Sequence, residues 1–218
     1  LGRDNNHTLA RLVILKKYSE ALFKFLTEPP KTCFKFMNPI FNEVKENFGD
    51  WEKIKDVLSK YPDNFSKELE VVSYLINNPE DHLGAISKEI RFWMLGFASW
   101  LFNIKISGYI IQGENVPNKI DLITSTNKKV IENYKYELDL IGLNSFDISH
   151  LEKFNIQKAH FPVETKKRVY FDEVNYVDGG VVLKFRLDKG SYATTVLAHC
   201  LDLIVGDIPE GFSKDRLF

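Results

Sequence analysis

The chain has 218 residues, 44% hydrophobic and 27% charged, and its 29 Lys and Arg against 30 Asp and Glu leave a formal net charge of -1. That balance excludes an intrinsically disordered chain, which needs low hydrophobicity and high net charge. It also excludes nucleic-acid capture through a global positive field, so any such binding must come from a local patch. Folding at this length buries roughly 70% of the unfolded surface, enough for one large domain or two small ones.

Taken in chain order, residues 5–27 read as a helix, with Leu9, Leu12, Val13, Leu22, Phe25 and Leu26 at helical spacing and Lys16 and Lys17 on the other side. Glu28-Pro29-Pro30 ends it, because proline cannot continue the hydrogen-bond ladder. A second helix starts after Asn38-Pro39 and stops near Phe48-Gly49. Asp50 caps a third that presents Trp51, Ile54, Val57 and Leu58 on one face. Tyr61-Pro62-Asp63 is a turn. Ser66 opens a fourth helix carrying Leu69, Val72, Leu75 and Ile76, broken by Asn77-Asn78-Pro79. A long fifth helix covers roughly Ile86 to Ile106, and its aromatic residues Phe92, Trp93, Phe97, Trp100 and Phe102 are expected in the core. Gly108 to Asn127 is ambiguous. Val130, Tyr134, Leu138 and Ile141 mark a further helix ended by Gly142.

The pattern changes after Phe161-Pro162. Residues 168–177 are rich in β-branched and aromatic types, and Asp178-Gly179-Gly180 favours a hairpin turn. Val181, Leu183, Phe185 and Leu187 then alternate with Val182, Lys184, Arg186 and Asp188, the pattern of a half-buried antiparallel strand. Lys189-Gly190-Ser191 turns into a final helix with Val196, Leu197, Cys200 and Leu201 inward. The expected class is α+β: a mostly helical body, then an antiparallel hairpin and a helix. A lone hairpin is marginal, so these strands call for more sheet.

Absences narrow the chemistry. There is no P-loop, GxGxxG, HExxH or GxSxG. His7, His82, His150, His160 and His199 do not fall at metal-ligand spacings. Cys33 and Cys200 form no CxxC pair, which argues against a disulfide scaffold or zinc ribbon and points to a reducing, intracellular and hence cytoplasmic setting. No apolar run reaches the ~18 residues of a membrane helix, since Phe92 to Ile106 is interrupted by Ser99, Asn103 and Lys105. A chain opening on Leu1-Gly2-Arg3-Asp4, without Met or a signal-peptide pattern, reads as a fragment or processed product.

Two features carry possible chemistry. In the first, the strand ending at Asp188 passes through Gly190, which permits a tight turn, to Ser191, a natural helix cap. The helix amides there can accept a phosphate or a base carbonyl, and Tyr192 can stack on a nucleobase. An ordinary capped turn with a buried tyrosine fits the same spacing. In the second, Lys166, Lys167, Arg168, Lys184, Arg186 and Lys189 gather around the hairpin. They can line an RNA groove, where phosphate contacts dominate affinity, or form a solvated sheet face.

The run Asp188-Lys189-Gly190-Ser191-Tyr192-Ala193-Thr194, after an apolar strand and before a helix, resembles the L-P-x-G-S-[YF]-A-T signature of the TruD family of pseudouridine synthases. Gly96-Phe97-Ala98-Ser99-Trp100-Leu101-Phe102-Asn103 is similar to that family's A-Y-Q-S-Y-L-F-N helix. Phe48-Gly49-Asp50-Trp51, the Tyr61-Pro62 turn and the Glu68 helix follow the order of archaeal and eukaryotic-type members, and Lys167-Arg168-Val169 matches a basic spot of the family.

The resemblance implies a fold in which a helical domain is inserted into a mixed-sheet catalytic domain. The insertion then covers residues 25–161, with 1–24 and 162–218 belonging to the catalytic domain. It implies isomerisation of a uridine in tRNA to pseudouridine, with no metal or organic cofactor. Tyr192 would pack on the flipped base, on the Gly190-Ser191 turn, with Arg168, Lys167, Lys184, Arg186 and Lys189 contacting RNA. The family's nucleophilic aspartate lies in a G-x-K-D motif that precedes N-Y-F-G-x-Q-R-F-G, and neither motif is in these residues. Leu1 to Asn6 look like the tail of the second. The chain is therefore expected to be inactive alone and to need the missing catalytic half as partner. Arg-Glu, usual after the signature, is replaced by Ala198-His199. Two other readings are a non-catalytic RNA-binding remnant (or half of a split enzyme) and a helical protein-interaction module.

Overall fold

The computed structural model describes residues 5–29, 35–123, 127–144, 147–148, 162–166, 168–178, 180–188 and 196–197. The chain divides into two compact units, Leu1–Val163 and Glu164–Phe218.

The first unit is helical. Residues 5–27 form two helices, α1 (Asn6–Ile14) and α2 (Tyr18–Thr27), rather than one. The break is a Schellman stop. The Lys17 N–H donates to the Leu12 carbonyl at 2.8 Å and the Lys16 N–H to the Val13 carbonyl at 3.0 Å. Lys16 takes φ +60°, where glycine is the usual occupant, so composition gave no sign of the stop. Exchanging Lys16→Gly should relieve that conformation and raise stability by up to about 1 kcal/mol, read by urea titration. A loss of stability would show that the Lys16 side chain compensates for its backbone.

A short 3-10 turn, Lys35–Met37, leads into α3 (Asn38–Glu46), which starts with Pro39 in its first turn. Asp50 caps α4 (Trp51–Leu58), its carboxylate accepting from the Lys53 N–H at 3.1 Å, and Trp51, Ile54, Val57 and Leu58 are all buried. In α5 (Ser66–Asn77) Val72 and Leu75 are buried while Leu69 and Ile76 pack partly against the core.

The fifth helix, α6 (His82–Ile111), is longer at both ends than its apolar run suggests. Asp81 caps it by accepting from the Gly84 N–H at 2.9 Å and from the Tyr74 hydroxyl at 2.6 Å. The Tyr74 bond, then the Gly84 bond, hold the Asp81 carboxyl below the usual range. A Cβ at Gly84 would collide with that carboxylate. The helix passes through Gly108 and stops at Gly113 (φ +70°), where the Glu114 N–H donates to the Tyr109 carbonyl at 2.9 Å. By length and composition α6 is also able to cross a membrane, contrary to the sequence expectation. Here one face of it, from Ala85 to Leu101, forms the centre of the core.

The aromatic expectation for α6 holds for Trp93 and Phe97, which are buried. It fails for Phe92, which is 43% exposed, with the Lys67 ammonium 5.1 Å from its ring centre. Trp93 and Phe97, four apart, share a stripe, and Phe92 lies one residue round the helix from it. Trp100 and Phe102 are partly buried. α1 packs on α6 at Gly96, where an added Cβ would stand 3.0 Å from that of Asn6.

Within the ambiguous segment, Lys119–Asp121 forms a short strand, β1, which pairs with β2 (Pro162–Glu164). The helix expected around Val130 to Ile141 is two short ones, α7 (Lys128–Asn133) and α8 (Lys135–Leu140), divided at Tyr134. That residue is anchored elsewhere: its buried hydroxyl donates to the Asp121 carbonyl at 2.7 Å. Gly142 (φ +69°) ends α8.

In the second unit β3 (Val169–Val177) and β4 (Gly180–Leu187) form an antiparallel hairpin. Val177 pairs with Gly180, as the Asp-Gly-Gly run requires. Val169, Phe171, Val174 and Tyr176 oppose Leu187, Phe185, Leu183 and Val181, one apolar face. The register slips between Phe171 and Glu173, so Asp172 is an inserted bulge residue. Val196 and Leu197 are helical and half-buried. The rest of the expected last helix, with Cys200 and Leu201, lies outside the described residues.

Candidate nucleic-acid interface

Gly190, Ser191, Tyr192, Lys189 and Lys167 lie outside the described residues, so the expected turn and its ring are read from sequence alone. Arg168, Lys184 and Arg186 lie within them, on or beside the hairpin.

Arg186 opposes Tyr170 across the ladder, and its guanidinium carbon sits 5.6 Å from the Tyr170 ring centre. The same guanidinium forks the Asp172 carboxylate: Nε donates to both oxygens at 3.1 and 3.3 Å, and Nη2 to one at 3.0 Å. That bond pushes the Arg186 pKa up. Arg168 is likewise pushed up, first by its hydrogen bond with Tyr170 and then by the nearby Asp188. The Arg168 backbone N–H donates to the Asp188 carboxylate at 3.0 Å. Lys184 stands opposite Glu173. Arg186 is thus paired with the Asp172 carboxylate, while Arg168 lies near Asp188 and Lys184 stands opposite Glu173 in the ladder. The expected basic strip is a charge-balanced row of Arg168, Lys184 and Arg186 against Asp172, Glu173 and Asp188. A balanced row attracts a polyanion only at contact range, through directed guanidinium bonds rather than a field.

A second polar cluster, in the helical unit, escaped the sequence reading. Lys105 of α6 points at the junction of α7 and α8. Its ammonium donates to the Asn133 carbonyl at 2.6 Å and to both Glu137 oxygens at 3.2 and 3.3 Å. The Tyr134 and Tyr109 rings lie 5.1 and 5.9 Å away. Burial first, then the Glu137 carboxylate, drive the Tyr134 pKa far up, so its phenol stays protonated. Clefts of about 260 and 300 Å³ are both lined by Lys105 and Tyr109. The available signal was a lysine between Ile104 and Ile106 on an apolar helix. Among the described residues no three His, Cys, Asp or Glu side chains converge to hold a metal ion.

The tRNA pseudouridine synthase D (TruD) family model matches residues 1–138, more than half of the 218-residue chain. The chain belongs to the TruD family. A Methanosarcina acetivorans protein named "Probable tRNA pseudouridine synthase D" is 24% identical over 89% of this chain and 56% of its own length. A Methanopyrus kandleri protein of the same name is 23% identical over 91% of this chain and 54% of its own. The chain thus spans a little over half the length of these TruD relatives. The crystal structure of the "Putative tRNA pseudouridine synthase D (TruD)" from Methanosarcina mazei superposes with a TM-score of 0.64, at 21% identity, over 89% of this chain and 57% of that one. The mixture of helices with small sheets is thus shared with a solved TruD fold.

Proposed function

We propose that these residues serve a tRNA pseudouridine synthase, which isomerises a uridine of tRNA to pseudouridine. The family match over residues 1–138 carries this reading. The names of the curated relatives and the run from Gly190 to Thr194 support it. Residues 25–161 are the helical insertion domain, and residues 1–24 and 162–218 are parts of the catalytic domain. In the reaction an aspartate attacks the nucleoside and the glycosidic bond breaks. Uracil then turns, its C5 displaces the aspartate from the sugar carbon, and C5 gives up its proton to solvent while N1 takes one up. No metal or organic cofactor takes part, and the enzyme acts on tRNA in the cytoplasm.

No aspartate here falls in the family's G-x-K-D motif, so the attacking carboxylate comes from a catalytic part outside these residues. Tyr192, on the Gly190-Ser191 turn, stacks against the extruded base. Arg168, Lys167, Lys184, Arg186 and Lys189 contact the RNA backbone, each giving up a solvent or carboxylate partner for a phosphate.

Incubating unmodified tRNA with the complete gene product, and separately with this chain, tests the reading through pseudouridine content by mass spectrometry. The complete product should convert its target and the isolated chain should not. Tyr192→Ala in the complete product should slow conversion about 5- to 150-fold, matching about 1–3 kcal/mol of base stacking. Turnover by the isolated chain would overturn the assignment of the nucleophile. Absence of turnover by the complete product would overturn the function.

A further inference from the structure

The hairpin presents an aromatic ring, a guanidinium and a carboxylate in one row. Tyr170 lies beneath Arg186 and Asp172 fills its fork. Asp172 is the inserted bulge residue, so its side chain reaches the fork from outside the regular ladder. The pair stands in solvent, with 73% of the Arg186 side chain and 33% of the Asp172 side chain exposed. Exposed ion pairs contribute little and exchange readily. A planar fork that accepts a carboxylate fits a phosphodiester with the same two parallel bonds. The other charges on this face are Lys184, opposite Glu173, and Arg168, beside Asp188, and neither pair displaces the Asp172 fork.

The geometry points to Asp172 as a resident stand-in for phosphate: it holds the Arg186 fork while RNA is absent and cedes it to a backbone phosphodiester when RNA binds. The inference rests on the tRNA reading above and names the backbone phosphate as ligand of this fork. Tyr170 is the positioning residue, keeping the guanidinium plane fixed through the exchange.

The salt dependence of binding reports the exchange. Each cation that newly meets a phosphate releases a counterion, steepening the logarithmic slope of affinity against salt by about 0.7–0.9. When RNA takes the fork from Asp172, the freed carboxylate draws a cation back, and the net release at this contact is near zero. Asp172→Asn in the complete protein should therefore bind tRNA about two- to fivefold tighter at low salt, with a slope steeper by about 0.7–0.9. The Asp172→Asn, Arg186→Gln double variant should lose both changes, which a merely structural role for Asp172 would not produce. Wild-type affinity and slope in Asp172→Asn, while the wild type itself binds tRNA in a salt-dependent way, would overturn this inference and leave the tRNA reading intact. If the wild type shows no salt-dependent tRNA binding, both fall.

Discussion

Replacing Lys105 with alanine should destabilise the helical unit by about 3–5 kcal/mol, the usual cost of removing one partner of a buried ion pair. The side chains of Lys105 and Glu137 are only 15% and 7% exposed, so solvent replaces the lost ammonium poorly. Glu137 would be left as a buried carboxylate without its cation, and the Asn133 carbonyl would lose its donor at 2.6 Å. The damage should fall on α7 and α8, which Lys105 ties to α6. A Lys105→Met, Glu137→Leu double variant removes both charges and keeps the volume. It should recover most of the loss, because exchanging a whole buried pair for apolar groups is often neutral. A urea-denaturation cycle of Lys105→Met, Glu137→Leu and the double variant measures the coupling. A single-variant cost below about 1 kcal/mol would mean that water reaches Glu137, and the two clefts lined by Lys105 would then be its route.

Trp93→Ala should cost about 3–5 kcal/mol and lower the melting temperature by roughly 6–20 °C. Trp93 is 1% exposed, midway along α6, with its ring centre 5.4 Å from that of Phe25 in α2. Its removal leaves a void between α6 and α2 that a close-packed core fills only in part. The neighbouring exchange Phe92→Ala is the control. Its ring is already half in water and should yield less than about 1 kcal/mol. Equal losses at the two positions, read by calorimetry, would contradict the assignment of the buried face of α6.

The elements legible in the sequence were those with a local chemical cause. Asp50 carries an oxygen that can cap, Asn38-Pro39 presets a first turn, and Asp178-Gly179-Gly180 suits a reversal. The cap and the reversal appear where expected, and the helix takes in Asn38 and Pro39 as its first turn instead of starting after them. The misread elements begin or end through bonds that residue type does not advertise. Lys16 ends α1 through backbone bonds that glycine would have advertised and lysine does not. Tyr134 divides α7 from α8 because its hydroxyl is held by Asp121, thirteen residues earlier. α6 starts at His82, ahead of the expected Ile86, because Asp81 caps it through the Gly84 N–H.

At the candidate interface, membership of the TruD family was legible from short motifs, whereas the electrostatics were not. Counting Arg168, Lys184 and Arg186 suggests a basic strip. Only the strand register reveals Glu173 opposite Lys184, and only the bulge brings Asp172 to Arg186. One trace of that bulge was on the page: the apolar residues of β3 run 169, 171, then 174, 176, a skipped beat in the alternation.

That skipped beat makes Asp172 the one residue of β3 that the strand can lose without turning over. With it deleted, Phe171 would run directly into Glu173 and the ladder would become regular, while Val169, Phe171, Val174 and Tyr176 kept their partners Leu187, Phe185, Leu183 and Val181. Deleting one residue elsewhere in β3 would instead close the bulge at the expense of the apolar alternation or carry one segment to the opposite face. Homologous chains one residue shorter here should therefore lack the carboxylate at Arg186 and keep the apolar face.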